Sequence, residues 1–173
     1  MHSFLRQLYE DHDQSRQTLQ GLLRSLESAT PTRAQPDAAT SFGLESWMKY
    51  LDDEHHRREE HLYSYLRRVA PEAAMAVESL SRQHNELERH MVTLAALFED
   101  AEADESGLDD NGTTAMQRLQ AFRGMVENYF AHLRWEETHL FPCARQQLSA
   151  HDWDVVAANW ARGNYADALA TRN

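Results

Sequence analysis

Only one cysteine, Cys143, stands in the 173 residues of this chain. That excludes an internal disulfide and any cysteine-rich zinc framework, so a metal held here must take nitrogen and oxygen donors. Glycine and proline are scarce, at 6 and 4, which favours long helices over sheets and turns. Basic residues are outnumbered 17 to 28, for a formal net charge of -11, and this argues against non-specific binding to nucleic acid or to an anionic membrane. No apolar run approaches the roughly 18 to 20 residues that span a bilayer. The start, MHSFLRQLYEDHDQ, lacks the basic-then-apolar order of a signal peptide. The expectation is a soluble, cytoplasmic protein with no nucleic-acid or membrane partner.

What is present is helical periodicity, in a chain long enough for one domain and its core. The pattern predicts an all-α fold: an antiparallel up-and-down four-helix bundle over about 3–148, followed by a short C-terminal helix over about 149–170, with 1–173 as a single domain. The first helix runs from Ser3 to about Ser28, with Leu5, Leu8, Leu19, Leu22 and Leu26 on one face and His12 in its middle. A loop, SATPTRAQPDAATSF, follows. The second helix, Leu44 to about Val69, has Trp47, Met48, Leu51, Leu62, Leu66 and Val69 as its stripe. At about 100° per residue, His55 and Glu59 lie roughly 30 to 75° from the stripe's centre, whereas His56 and Glu60 lie roughly 130° or more away. Pro71 opens a third helix, Glu72 to Asp100, with Val77, Leu80, His84, Leu87, Met91, Leu94 and Phe98 in a three-four repeat. The acidic segment Glu99 to Thr114 reads as a mobile connection. A fourth helix begins near Ala115, carries Leu119, Phe122, Val126, Tyr129, Leu133 and Leu140, and ends or kinks around Pro142. The last helix packs through Val155, Val156 and Trp160, and Gly163 with Asn164 is expected to interrupt or end it.

Within those stripes lies a repeated chemical pattern. HHRREE at His55–Glu60 and HLRWEETHLFP at His132–Pro142 each set a histidine and a glutamate four residues apart, hence on one helix face. Imidazole nitrogens suit borderline transition metals, and a carboxylate can bridge two cations with its two oxygens. Glu59 and Glu136 could therefore bridge a metal pair capped by His12, His55, His84 and His132. One histidine in an apolar stripe is more often a hydrogen-bonded core residue. Burying four with two glutamates would cost several kcal/mol per unpaired charge, which a shared cation offsets. A donor set without thiolate suits iron, with manganese or zinc as alternatives.

The ordered set EDHDQ (His12), HHRREE, SRQHNEL (His84) and HLRWEETHLFP resembles the hemerythrin-like, or HHE cation-binding, family over roughly residues 3–148. The resemblance implies a four-helix bundle with a carboxylate-bridged pair of non-haem iron ions and an oxo or hydroxo bridge. It implies His12, His55, His84 and His132 as terminal ligands, Glu59 and Glu136 as bridges, and dioxygen or another diatomic or peroxide as the small ligand. Oxygen-carrying members have a second histidine four residues along the third helix, where this chain has Glu88, and an aspartate five residues after the fourth-helix histidine, where it has Glu137. Reversible oxygen transport is therefore not implied. Glu88, His56 or water could supply the missing ligand. Helix phase alone puts Glu137 nearer the stripe's centre than Glu136, while the family's offset to Leu-Phe-Pro favours Glu136.

Other residues read more plainly. His2, His61, His90, His139 and His151 are expected at the surface or behind the ligands. Arg58 leans toward the stripe and could pair with a carboxylate. Cys143 reads as a small core residue, and Trp135 and the tyrosines as packing or rim residues. Two further functions stay open: an enzyme using the same centre on peroxide, nitric oxide or ferrous iron, and a helical interaction module with structural histidines.

Overall fold

The computed structural model describes residues 1–28, 38–103 and 111–170, with side chains left undescribed at 38–41, 52–53, 97–103, 111–115 and 164–170. The described elements are helical: α1 (Ser3–Ser28), α2 (Ala38–Tyr50), a π-helical turn (Leu51–His55), α3 (His56–Val69), a 3₁₀ turn (Pro71–Ala73), α4 (Ala74–Ala103), α5 (Asn111–Trp135), a second π-helical turn (Glu136–Leu140), α6 (Phe141–Gln147) and α7 (Ala150–Ala170). Segments α2 and α3 with their π turn make one bundle helix, and α5, π turn and α6 make another. Packing of α1 on α2 and α5, of α4 on α5, and of α3 on α4 closes an all-α bundle in which sequential helices are neighbours.

The apolar stripes interlock as two cores. One gathers Leu5, Leu8, Leu62, Leu66, Val77, Leu80, Leu140 and Phe141. The other gathers Leu19, Trp47, Leu51, Leu87, Met91, Phe122, Tyr129 and Leu133. Along each bundle helix a histidine falls between residues of the two cores: His12 between Leu8 and Leu19, His55 between Leu51 and Leu62, His84 between Leu80 and Leu87, and His132 between Tyr129 and Leu140. A polar layer is thus set at mid-height, walled by apolar packing on both sides.

Several sequence expectations need correction. Val69 is 42% exposed because α3 has only Ala70 and Pro71 beyond it, and Tyr63 and Tyr65 fill that core instead. The second helix begins six residues before Leu44, at Ala38. Parts of the acidic connection are helical: α4 continues to Ala103 and α5 starts at Asn111, while 104–110 lies outside the described residues, as does 29–37 of the earlier loop. Phe98 lies outside the described side chains. Gly163 and Asn164 do not end α7, which runs on to Ala170, since one glycine costs a helix only about 1 kcal/mol.

That last helix has a start signal the periodicity did not use. Ser149 Oγ accepts the Asp152 backbone N–H at 3.2 Å, and Asp152 Oδ2 accepts the Ser149 backbone N–H at 2.9 Å, a reciprocal cap. Tyr65 donates to Asp152 Oδ1 at 2.7 Å and so ties the start of α7 to α3. Trp153 and Val156 then join the first core. Among the described residues, no helix is long and apolar enough to cross a membrane.

Candidate metal centre

Both π turns sit at the polar layer, one ending on His55 and the other beginning on Glu136. In each, a backbone bond spans five residues, from His56 N–H to Leu51 O and from Phe141 N–H to Glu136 O. The wider turn rotates the residues beyond it, and Pro142, which has no N–H to give and would crowd the carbonyl four residues back, favours such a break just ahead of it. The phase read from the apolar stripe therefore does not hold beyond Glu136. Glu136 is fully buried, whereas the side chain of Glu137 is 21% exposed.

The structure brings His12, His55, Glu59, His84, His132 and Glu136 together. Glu59 Oε1 lies 2.9 Å from His55 Nε2 and 3.3 Å from His12 Nε2, and its Oε2 lies 3.3 Å from His84 Nε2. Glu136 Oε2 lies 3.3 Å from His12 Nε2 and 3.5 Å from His132 Nε2. His84 and His132 face each other through Nε2 at 3.0 Å. Two groups of donor atoms, each within 4.8 Å of one another, result: Glu59, His84, His132, Glu136 and His12, His55, Glu59. Glu59 belongs to both.

Outer partners turn two of the rings. The Nδ1–H of His12 donates to Glu137 Oε1 at 2.9 Å, since a carboxylate can only accept. Arg16 holds the other oxygen of Glu137 at 2.8 Å. The Nδ1–H of His132 donates to Gln83 Oε1 at 3.1 Å. With Nδ1 committed outward, Nε2 presents its lone pair to the centre. Glu137 therefore orients His12 from behind. His56 stacks on His84 at 4.3 Å between ring centroids. Glu88 is exposed and shares a cavity of about 300 Å³ with His56 and His84. Neither Glu88 nor His56 belongs to the two donor groups.

Sequence reasoning placed Tyr63 among packing residues, but it is fully buried and its hydroxyl donates to Glu136 Oε1. Its position four after Glu59, on the same face, was the available signal. Asp11, also missed, is buried and pairs with Arg58 and with Gln7, the latter at 3.1 Å.

The two buried glutamates favour positive charge in this layer. Burial disfavours charge on His12, yet Glu136, Glu137 and Glu59 outweigh it and raise the imidazole well above its ordinary value. His55, likewise buried but beside Glu59 and Asp11, is raised to about 9. Burial would push Glu59 up, but His55, His12 and His84 hold it well below the usual carboxylate range. His132 is lowered, because burial outweighs Glu136 and Glu59. Glu59 Oε2, Glu136 Oε2 and both ring nitrogens of His55 are buried without an aligned hydrogen-bond partner, close contacts notwithstanding. Such orphaned atoms are rare in native interiors, and here they converge. The His84 and His132 nitrogens, 3.0 Å apart, are close enough for both to serve one ion. The residues fit a metal pair.

The sequence model of the hemerythrin HHE cation binding domain matches residues 3–144. The chain belongs to that family. Cation binding follows from membership together with the converging histidines and glutamates. Searches of curated proteins and of solved structures returned no match. The HHE domain match ends within α6, so α7 lies beyond it.

One consequence concerns Glu137. Glu137→Gln keeps an acceptor for His12 but removes the charge, so metal affinity is expected to fall about 10-fold, toward the low end for loss of a group that hydrogen-bonds a ligand from behind. A chelator competition should still count the wild-type number of ions.

Proposed function

We propose that this chain, as one domain over 1–173, holds two non-haem iron ions and binds dioxygen or a related small ligand at them, in sensing, storage or iron handling. Glu59 and Glu136, with His12, His55, His84 and His132, would hold the pair. The observation that carries the reading is Glu59, whose two oxygens face histidines of opposite halves. When bound, the iron pair supplies open coordination positions and reducing electrons.

The chain's own residues prepare that chemistry. Tyr63 keeps a proton on its hydroxyl, because burial and then the Glu136 charge raise it well above the ordinary tyrosine value. It therefore holds Glu136 Oε1 and leaves Oε2 inward. Phe141 stacks on His12 at 5.3 Å and excludes water on that side. Access runs past His84, whose side chain is 16% exposed while the other three histidines are at most 2%. A second cavity of about 300 Å³, lined by Gln83, Leu87, His90, Asn128, His132 and Trp135 among others, reaches the centre between α4 and α5. Both cavities also have room for small reactants, and the second reading is therefore an enzyme that uses the same centre on peroxide, nitric oxide or ferrous iron.

Anaerobic loading with ferrous iron, followed by admission of dioxygen, tests the proposal. New charge-transfer absorption in proportion to the iron pair is expected, and a spectrum unchanged by dioxygen would refute it. Sustained turnover under excess peroxide would favour the enzyme, since a binder reacts once and stops.

A further inference from the structure

Behind His55 runs a line of contacts that ends on the C-terminal helix. Asp11 is 2% exposed, and its Oδ2 lies 3.8 Å from His55 Nδ1. That separation is too long for a direct hydrogen bond, so the pairing is electrostatic, and the carboxylate favours the ring form that carries its proton on Nδ1. Arg58, with a side chain 12% exposed, binds the same Oδ2. The Arg58 guanidinium in turn sits over the indole of Trp160, 5.1 Å from its centroid. Gln7 fixes the other oxygen of Asp11. Burial pushes the Asp11 carboxyl up, but His55, Gln7, Tyr50 and Arg58 hold it below its ordinary value.

Three of the four capping histidines therefore have an outward polar partner: His12 and His132 hydrogen-bond to Glu137 and Gln83, and His55 faces the Asp11 carboxylate electrostatically. Among the described residues only the last is anchored from α7, which lies outside the residues matched by the family. We propose that Asp11 is a positioning residue for His55, and that Trp160, by holding Arg58 on Asp11, lets α7 set the metal affinity of the His12, His55, Glu59 half of the centre. The inference rests on the metal-pair reading above. It makes the two halves unequal, since among the described residues the link to α7 runs through His55 and not through His84 or His132.

Zinc titration of the full chain against a chromophoric chelator, with the ring N–H protons of the zinc-loaded protein followed by NMR, tests this. The wild type is expected to bind two zinc ions and to show a slowly exchanging His55 Nδ1–H. Asp11→Asn should weaken one zinc by about 10–100-fold, leave the other unchanged and speed exchange of that proton. Trp160→Ala should weaken the same zinc about two- to fivefold, the worth of one cation–π contact, and Trp160→Phe should restore it. Unchanged affinities and exchange in Asp11→Asn, or equal weakening of both ions alongside lost stability of the metal-free protein, would overturn the assignment. An unaltered Trp160→Ala would overturn the part given to α7. Fewer than two zinc ions in the wild type would overturn the metal-pair reading as well, which separates the two failures.

Discussion

Glu59→Gln is expected to abolish binding of both metals at once. The substitution keeps volume and shape, so the apolar walls on either side stay filled. It removes the charge whose Oε1 faces His12 and His55 and whose Oε2 faces His84. A neutral amide cannot bridge two cations with two oxygens, and the half-sites lose a shared donor together. Affinity should therefore fall by more than the roughly 10–100-fold that accompanies loss of a group that only orients a ligand. Metal analysis after loading and desalting should find neither ion. Retention of one ion would mean that Glu59 serves a single site, and retention of both would remove it from the centre. His84→Ala, by contrast, touches only the half with His132.

The second large effect is the dependence of stability on metal and pH. In the metal-free protein, His12 and His55 have raised folded values, the latter to about 9. Their contribution is fully present below the unfolded histidine value of about 6.5 and is lost as pH rises through the folded values. Glu59, lowered well below its ordinary range, contributes above the unfolded value of about 4.3 and loses that contribution as pH falls through its folded value. The metal-free protein should thus weaken between about pH 6.5 and 9. Metal binding has the opposite slope, because the ligating imidazoles must be deprotonated and the ions displace those protons. At a thousandfold excess over Kd each site adds about 4 kcal/mol, and at roughly 2–4 °C per kcal/mol for a chain of this length the midpoint rises on the order of 10 °C per site. Thermal melts with and without metal should diverge as pH rises from 6.5 to 9, with proton release on loading at pH 7.5. Curves that stay parallel, or loading without proton release, would contradict the site's electrostatics.

Much of the fold and the centre was legible because two periodicities coincide. The three-four apolar repeat placed four helices, and the same repeat put His12, His84 and His132 on buried faces. The second-helix phase chose His55 and Glu59 over His56 and Glu60, and the structure puts both chosen residues at full burial. Helix phase failed where the rotation departs from 100° per residue. The π turn at Glu136–Leu140 carries an extra residue, so the phase that favoured Glu137 does not hold there, and Glu136 is the one at full burial. Tyr63 and Asp11 were missed for another reason. Each acts through a partner far away in sequence, Glu136 for Tyr63 and Arg58 with His55 for Asp11, and periodicity within one helix carries no information about pairing between helices. Arg58 was read as leaning inward toward a carboxylate, and the carboxylate is Asp11. The cap at Ser149 was readable from its Ser-x-x-Asp spacing but lies past the apolar stripes of the bundle.

The central claim is that buried Glu59 and Glu136 join two metal ions among four histidines. Metal analysis of the chain after anaerobic loading with ferrous iron and removal of excess tests it most directly. Two irons per chain, falling to none in Glu59→Gln, is the predicted result. One iron or none in the wild type, with Glu59→Gln indistinguishable from it, would contradict the account.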